Sequence, residues 1–130
     1  MQKIPEVADI DTLYILLAWP SAHAPSEICL SAISLSKLRF GADKRDSRRL
    51  HRLIDTFTRT IEVVSFDAAA ATIFGRICVA LESKGTPIAT LDTLIAAHAM
   101  SLNLTLVTSN SKHFNQVRGL KSQNWLHETG

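Results

Sequence analysis

The chain reads as an α/β domain: a short central parallel sheet flanked by helices. Three observations predict this. Short β-rich apolar runs, Ile28–Ser31, Ile61–Val64 and Leu104–Val107, alternate with longer stretches whose apolar residues recur at helical spacing. The 130 residues are enough to bury one core, and 46% hydrophobic against 20% charged residues is an ordinary globular balance. No internal repeat or low-complexity tract divides the chain, so residues 1–130 read as a single domain.

The N-terminal part is the least regular. Val7 to Ile10 is a candidate short strand, and Asp11-Thr12 leads into the apolar run Leu13 to Trp19. Asp11 on its own reads equally well as a helix N-cap or as a site residue. Ser21 to Ser26, bracketed by Pro20 and Pro25, reads as loop. After the strand Ile28–Ser31, Ser34 is expected to start a helix with Leu35 and Leu38 on one face and Gly41-Ala42 near its end. Ser34-x-x-Lys37 then occupies capping-box register, with lysine where Glu or Gln would return to the backbone.

Lys44 to Arg59 reads as one helix with Leu50, Leu53, Ile54 and Phe57 inward. Lys44, Arg45, Arg48, Arg49 and Arg52 fall outside that stripe. Such a face is either simply solvated or follows a phosphate backbone. Asp67 to Glu82 reads as a long helix capped by Asp67, with Ala70, Ile73, Phe74, Ile77 and Leu81 inward and Gly85 as its stop. Asp92 to Leu102 reads as an amphipathic helix with Leu91, Leu94, Ile95, His98 and Leu102 on its stripe, which makes His98 a core residue rather than a ligand. Asn103 stops it, and the polar run Thr108 to Ser111 follows the strand Leu104–Val107. Asp92 therefore stands at a helix N-terminus and Asn110 beyond a strand's carboxyl end, where open α/β sheets place their sites. Taken alone, Asp92 also fits a dipole-complementing acid, and Asn110 a turn opener.

Composition narrows the function classes. A net charge of +2 identifies no nucleic-acid binder by itself. Cys29 and Cys78 have no metal spacing and are expected as buried reduced thiols of a cytoplasmic protein. No apolar run is long enough to span a membrane, and no signal-peptide pattern opens the chain. The histidines show neither HxH nor HExxH spacing, and GxGxxG, Walker and G-x-S-x-G motifs are absent.

Four blocks together carry a resemblance: ICLSAISLSKLRFGADKRD (Ile28 to Asp46), PIATLDTLIAAHA, LTLVTSNSKHF and GLKSQNWL (Gly119 to Leu126). In this order they resemble PIN-domain ribonucleases, and most of all the VapC-type toxins of bacterial toxin–antitoxin modules. The resemblance implies a PIN-like three-layer fold with GLKSQNWL as its last short strand. It also implies endoribonuclease activity with Mg²⁺ (or Mn²⁺), tRNA as the expected substrate, a VapB-like antitoxin and a homodimer. The family's first strand ends in Asp-Thr-Asn and its aspartate is a metal ligand. Here Asp11-Thr12 fits, Leu13 replaces the asparagine, and Asp9 is the fallback.

The implied site is thus Asp11, Asp92 and Asn110, with Asp11 and Asp92 as charged ligands and Asn110 acting through its carbonyl or a water. Arg45, Arg48, Arg49 and Arg52, on the basic helical face, are the candidate RNA contacts. Hard divalent cations suit such oxygen donors, and cutting a phosphodiester needs an activated water and charge neutralisation. Where the family has a site glutamate, this chain has Lys37. The exchange changes local charge by two units, and one unit pair at about 4 Å is worth about 4 kcal/mol at an effective dielectric near 20. Asp43, almost two turns further along, is a poor substitute.

The alternative implied is an impaired PIN domain that binds antitoxin or RNA without cutting. A phosphoacceptor domain of response-regulator type also uses acids at strand ends. It wants an acidic pair on its first strand and a lysine on a late one, and Leu104 to Val107 carries none.

Overall fold

The structure, a computed structural model, describes residues 15–17, 28–108 and 111–123. The expected strand Val7–Ile10 and the site candidates Asp9, Asp11 and Asn110 lie outside these residues. Among the described residues five strands form one sheet: β1 (Ile15–Leu17), β2 (Ile28–Ser31), β3 (Glu62–Val64), β4 (Thr105–Val107) and β5 (Ser122–Gln123), in the order β3-β2-β1-β4-β5. The helices are α1 (Ala32–Lys44), α2 (Arg48–Thr60), α3 (Ala68–Ser83), α4 (Thr90–Ser101) and the short α5 (Ser111–Phe114).

β2 pairs with β3, and β4 with β5, in parallel, whereas β1 runs antiparallel to both β2 and β4. β2 through β5 therefore share one direction, as expected, and the central strand opposes them. It also falls inside the apolar run Leu13 to Trp19. Chain length explains its direction. Residues 18–27 alone join β1 to β2, fewer than the dozen or more a parallel crossover takes.

Strand alternation sorts the core into two layers. Leu30 of β2 and Val107 of β4 face α1 and α2, packing with Leu38, Ala42, Leu50, Ile54, Phe57 and Ile61. Their neighbours Cys29 and Leu106 face the other way, toward Ile77 and Leu81 of α3, Ile95, Ala96 and Ala99 of α4, and Phe114. The result is helix, sheet, helix.

The helix ends explain two differences from the sequence reading. Ser31, the last residue of β2, caps α1 by accepting from the Ile33 N–H at 3.0 Å. The helix thus begins at the strand's end, and Ser34 lies inside it, buried, rather than starting it. Further on, the expected Lys44–Arg59 helix is broken. Asp46 takes a left-handed φ of 50°, Ser47 returns its N–H to Ala42, and the Ser47 hydroxyl accepts from Leu50 to start α2. Lys44 therefore closes α1.

The same closing pattern ends α3 at Gly85 (φ 68°) and α4 at Asn103 (φ 56°), each followed by an N–H returned to the third-last helical carbonyl. Asp67 caps α3 as expected, accepting from Ala70 at 3.1 Å. In α4 the buried set is Asp92, Thr93, Ile95, Ala96, Ala97, His98 and Ala99, while Leu91 and Leu102 are exposed. Its alanines let α3, α1 and the sheet approach from several sides, so no single apolar stripe marks the inward face.

Ile54 is fully buried in the α1–α2 layer. Ile54→Ala is expected to cost about 2–5 kcal/mol in urea unfolding. A loss below about 1 kcal/mol would show that this layer collapses into the cavity.

Candidate functional site

The carboxyl ends of β2, β3 and β4 stop together at Ser31, Val64 and Val107, with Thr108 buried just beyond. β1 runs opposite, so its first residue, Ile15, pairs with Val107 at this same edge. α1 leaves the edge directly from Ser31, and α4 has its N-terminus on that side because it precedes β4 and runs antiparallel to it. The two helical layers meet here.

Lys37 and Asp92 make that junction. The Lys37 Nζ donates to Asp92 Oδ1 at 2.9 Å, with the carboxylate 5% and the lysine side chain 25% exposed. Asp92 is the third residue of α4, whose cap residue Ala89 supplies no side-chain hydrogen bond. Its negative charge complements the helix N-terminus. At 2.9 Å and an effective dielectric near 20 the pair attracts by roughly 6 kcal/mol before desolvation is subtracted. Asp92 is therefore more than a dipole acid. The lysine points toward Asp92 rather than out to solvent, and its helix supplies the positive partner from the opposite layer.

Next to this pair His98 is buried, its Nδ1 2.7 Å from the Ser31 hydroxyl and its ring edge-on to Phe66 at 5.4 Å. Burial holds its pKa below the ordinary 6.5, against the Asp67 carboxylate and the Ser65 backbone, which favour the charged form. The reading of His98 as a core residue holds. Ser31 ties β2, α1 and α4 together, and the sequence reading passed over it. Its signal was a hydroxyl directly before the first helical residue.

Burial and the neighbouring Glu62, its partner across β2 and β3, push the Cys29 thiol up to about 11. That thiol stays protonated at neutral pH and is no nucleophile. Cys29 and Cys78 are both free.

Outside the pair, α1 and α2 are laced by side chains. Arg39 reaches the Asp55 carboxylate at 2.6 Å and His51 Nδ1 at 2.9 Å, and His51 Nε2 lies 2.7 Å from Asp43. Asp43 is thus engaged with α2. Lys44, Arg45, Arg48, Arg49 and Arg52 are exposed around the α1–α2 corner. Arg39 and the exposed Phe40 are further residues that sequence reasoning missed, since neither falls in a motif.

The family model described as the PIN domain matches residues 9–120. The tRNA(fMet)-specific endonuclease VapC of Shigella flexneri is 38% identical over 100 residues, covering 76% of each chain. A crystal structure of VapBC2 from Rickettsia felis, bound to a DNA fragment from their promoter, superposes with a TM-score of 0.71 at 35% identity, covering 75% of this chain and 74% of that one. DNA-bound VapBC from Salmonella typhimurium gives 0.71 at 36% identity, with the same coverages of 75% and 74%.

Two outcomes are expected from this geometry. Lys37→Met leaves the Asp92 carboxylate buried without its ammonium and is expected to cost about 3–5 kcal/mol. The double variant Lys37→Met/Asp92→Leu is expected to recover most of that in chemical denaturation. A double variant no more stable than the single would reject the pair as the cause.

The second concerns acid. The unfolded chain protonates His98 near 6.5, the folded chain only at lower pH. Between the two values the unfolded state binds more protons, so stability is complete above the window and is lost as pH falls through it. The drop in Tm from pH 7.5 to 5.5 is expected to be smaller in His98→Gln than in the unaltered protein. Equal drops would remove His98 as a contributor.

Proposed function

This chain belongs to the PIN-domain family, among the VapC ribonucleases, and from that premise we propose that it is a VapC-type endoribonuclease toxin neutralised by a VapB-like antitoxin. tRNA is the expected RNA, supported by the tRNA-specific activity in the name of the Shigella flexneri relative. The antitoxin is supported by the VapBC complexes whose toxin chains this fold matches. A homodimer remains part of the same proposal. The observation that carries the reading is Asp92, a buried carboxylate in a helix's first turn over the sheet's carboxyl edge.

The site proposed around Asp92 adds Asp11 and Asn110. In support, β1 begins at the carboxyl edge four positions after Asp11, and Asn110 follows the buried Thr108 by two. Arg45, Arg48, Arg49 and Arg52, exposed at the α1–α2 corner, are proposed to take the RNA backbone.

Mg²⁺ (or Mn²⁺) dependence meets an obstacle in the donor set. Among the described residues no group of three His, Cys, Asp or Glu side chains is placed to hold an ion. The Lys37 ammonium, 2.9 Å from Asp92 Oδ1, stands where a cation would use that oxygen. The described residues do not fit a divalent ion as they stand. This favours a second reading, a PIN domain that binds antitoxin or RNA while cutting weakly or not at all.

Purified protein incubated with a tRNA pool and Mg²⁺, Mn²⁺ or EDTA separates the two, beside Asp92→Asn and Lys37→Glu. Metal-dependent cutting that Asp92→Asn abolishes establishes the enzyme. No cutting, with activity and a Mg²⁺-dependent rise in Tm gained by Lys37→Glu, establishes the impaired form. Silence from both proteins, with no shift in Tm, would overturn the site.

A further inference from the structure

We propose that Phe40 is a stacking platform for an unpaired RNA base, so that the chain takes its RNA at a single-stranded or looped segment beside the Lys37–Asp92 junction. The inference rests on the RNA-binding reading above.

Phe40 is 66% exposed, the most exposed large apolar side chain among the described residues. A ring left in water at that level contributes nothing to either core cluster. Its surroundings are cationic rather than apolar. The Lys44 Nζ lies over the ring, 5.8 Å from its centroid. Lys37, Phe40 and Lys44 stand three and four residues apart on α1, so they share one helix face. Lys37 sits one turn before the ring, at the site, and Lys44 one turn after it, at the start of the basic corner. The run from site to corner spans about 10 Å of helix axis.

A base presents a π-face and its nucleotide a phosphate, and an exposed ring with the Lys44 ammonium beside it answers both. The same setting does not suit a protein's apolar anchor. Such an anchor wants neighbouring apolar surface, and the other exposed large apolar residues, Val79, Leu91 and Leu102, lie on α3, on α4 and just past the end of α4. Paired bases are stacked within their duplex and offer no free face, so the platform selects for unpaired segments.

The test is anisotropy of labelled single-stranded RNA and a duplex of the same sequence, in EDTA so that binding is read apart from cutting. The full-length protein is compared with Phe40→Ala and Phe40→Trp. Phe40→Ala is expected to weaken single-strand binding roughly 5- to 100-fold with Tm unchanged, because the ring packs in neither core. Phe40→Trp is expected to keep the affinity and to gain a tryptophan emission that single-stranded RNA quenches and duplex does not. Equal affinity of Phe40→Ala for single strands overturns the platform while leaving RNA binding in place. So does tighter binding of duplex by the unaltered protein. If Phe40→Ala keeps its RNA affinity and instead loses a co-expressed antitoxin, the ring belongs to a protein interface and the proposal falls. No RNA bound by any of the three proteins overturns the RNA reading itself, and the platform with it.

Discussion

The ion pair between Lys37 and Asp92 is the contact on which the arrangement of this molecule turns. It joins α1, from the layer built on Leu30 and Val107, to α4, from the layer built on Leu106. A carboxylate 5% exposed is costly to bury, and it tolerates that position because a helix N-terminus and an ammonium both answer its charge. Ser31 sets the approach of the two helices. Its hydroxyl caps α1 and meets His98 of α4 at 2.7 Å, so the helix bearing the lysine and the helix bearing the carboxylate leave one anchor.

What could be read from the sequence followed local rules. The stops at Gly85 and Asn103 and the cap at Asp67 were legible because left-handed residues and carboxylate caps act within a single turn. Val107 and Leu106 belong to a run recognisably β, and their side chains alternate between the layers as strand geometry requires. Three features were not legible, because none is marked by a residue pattern within its own element. β1 runs antiparallel because ten residues cannot carry a crossover, and the strand's own side chains do not encode direction. α4 hides its inward face because alanines are buried on several sides of it, which defeats a stripe built from its leucines. The left-handed turn at Asp46 separates α1 from α2, although an Asp inside a helical pattern looks continuous. For the site, Asp92 was legible by register, whereas the lysine's direction needed the packing of α1 against α4.

The α1–α2 layer shows how charge is divided between structure and surface. Arg39 reaches Asp55 and His51, and Asp43 reaches His51, so two acids and one arginine are spent holding the two helices together. His51 meets the Arg39 guanidinium at Nδ1 and the Asp43 carboxylate at Nε2, so one ring bridges a cation and an anion. The acids engaged in this lacing lie between the helices, and the remaining cations crowd the corner where α1 gives way to α2. A modest total charge of +2 thereby coexists with a locally basic surface.

Position 37 decides which charge Asp92 meets at the carboxyl edge. With a carboxylate there, Asp92 would face a like charge, and the two would repel each other until a cation arrived to relieve them. Folding stability and cation binding would then be linked, since an ion bound by the native state alone stabilises it by mass action. With an ammonium there, the neutralisation is supplied by the chain itself, permanently and at 2.9 Å. The buried carboxylate is thereby neutralised from within the chain, by a lysine that reaches Asp92 from the opposite helical layer, so the charge that would be costly to bury alone is answered across the two layers it joins.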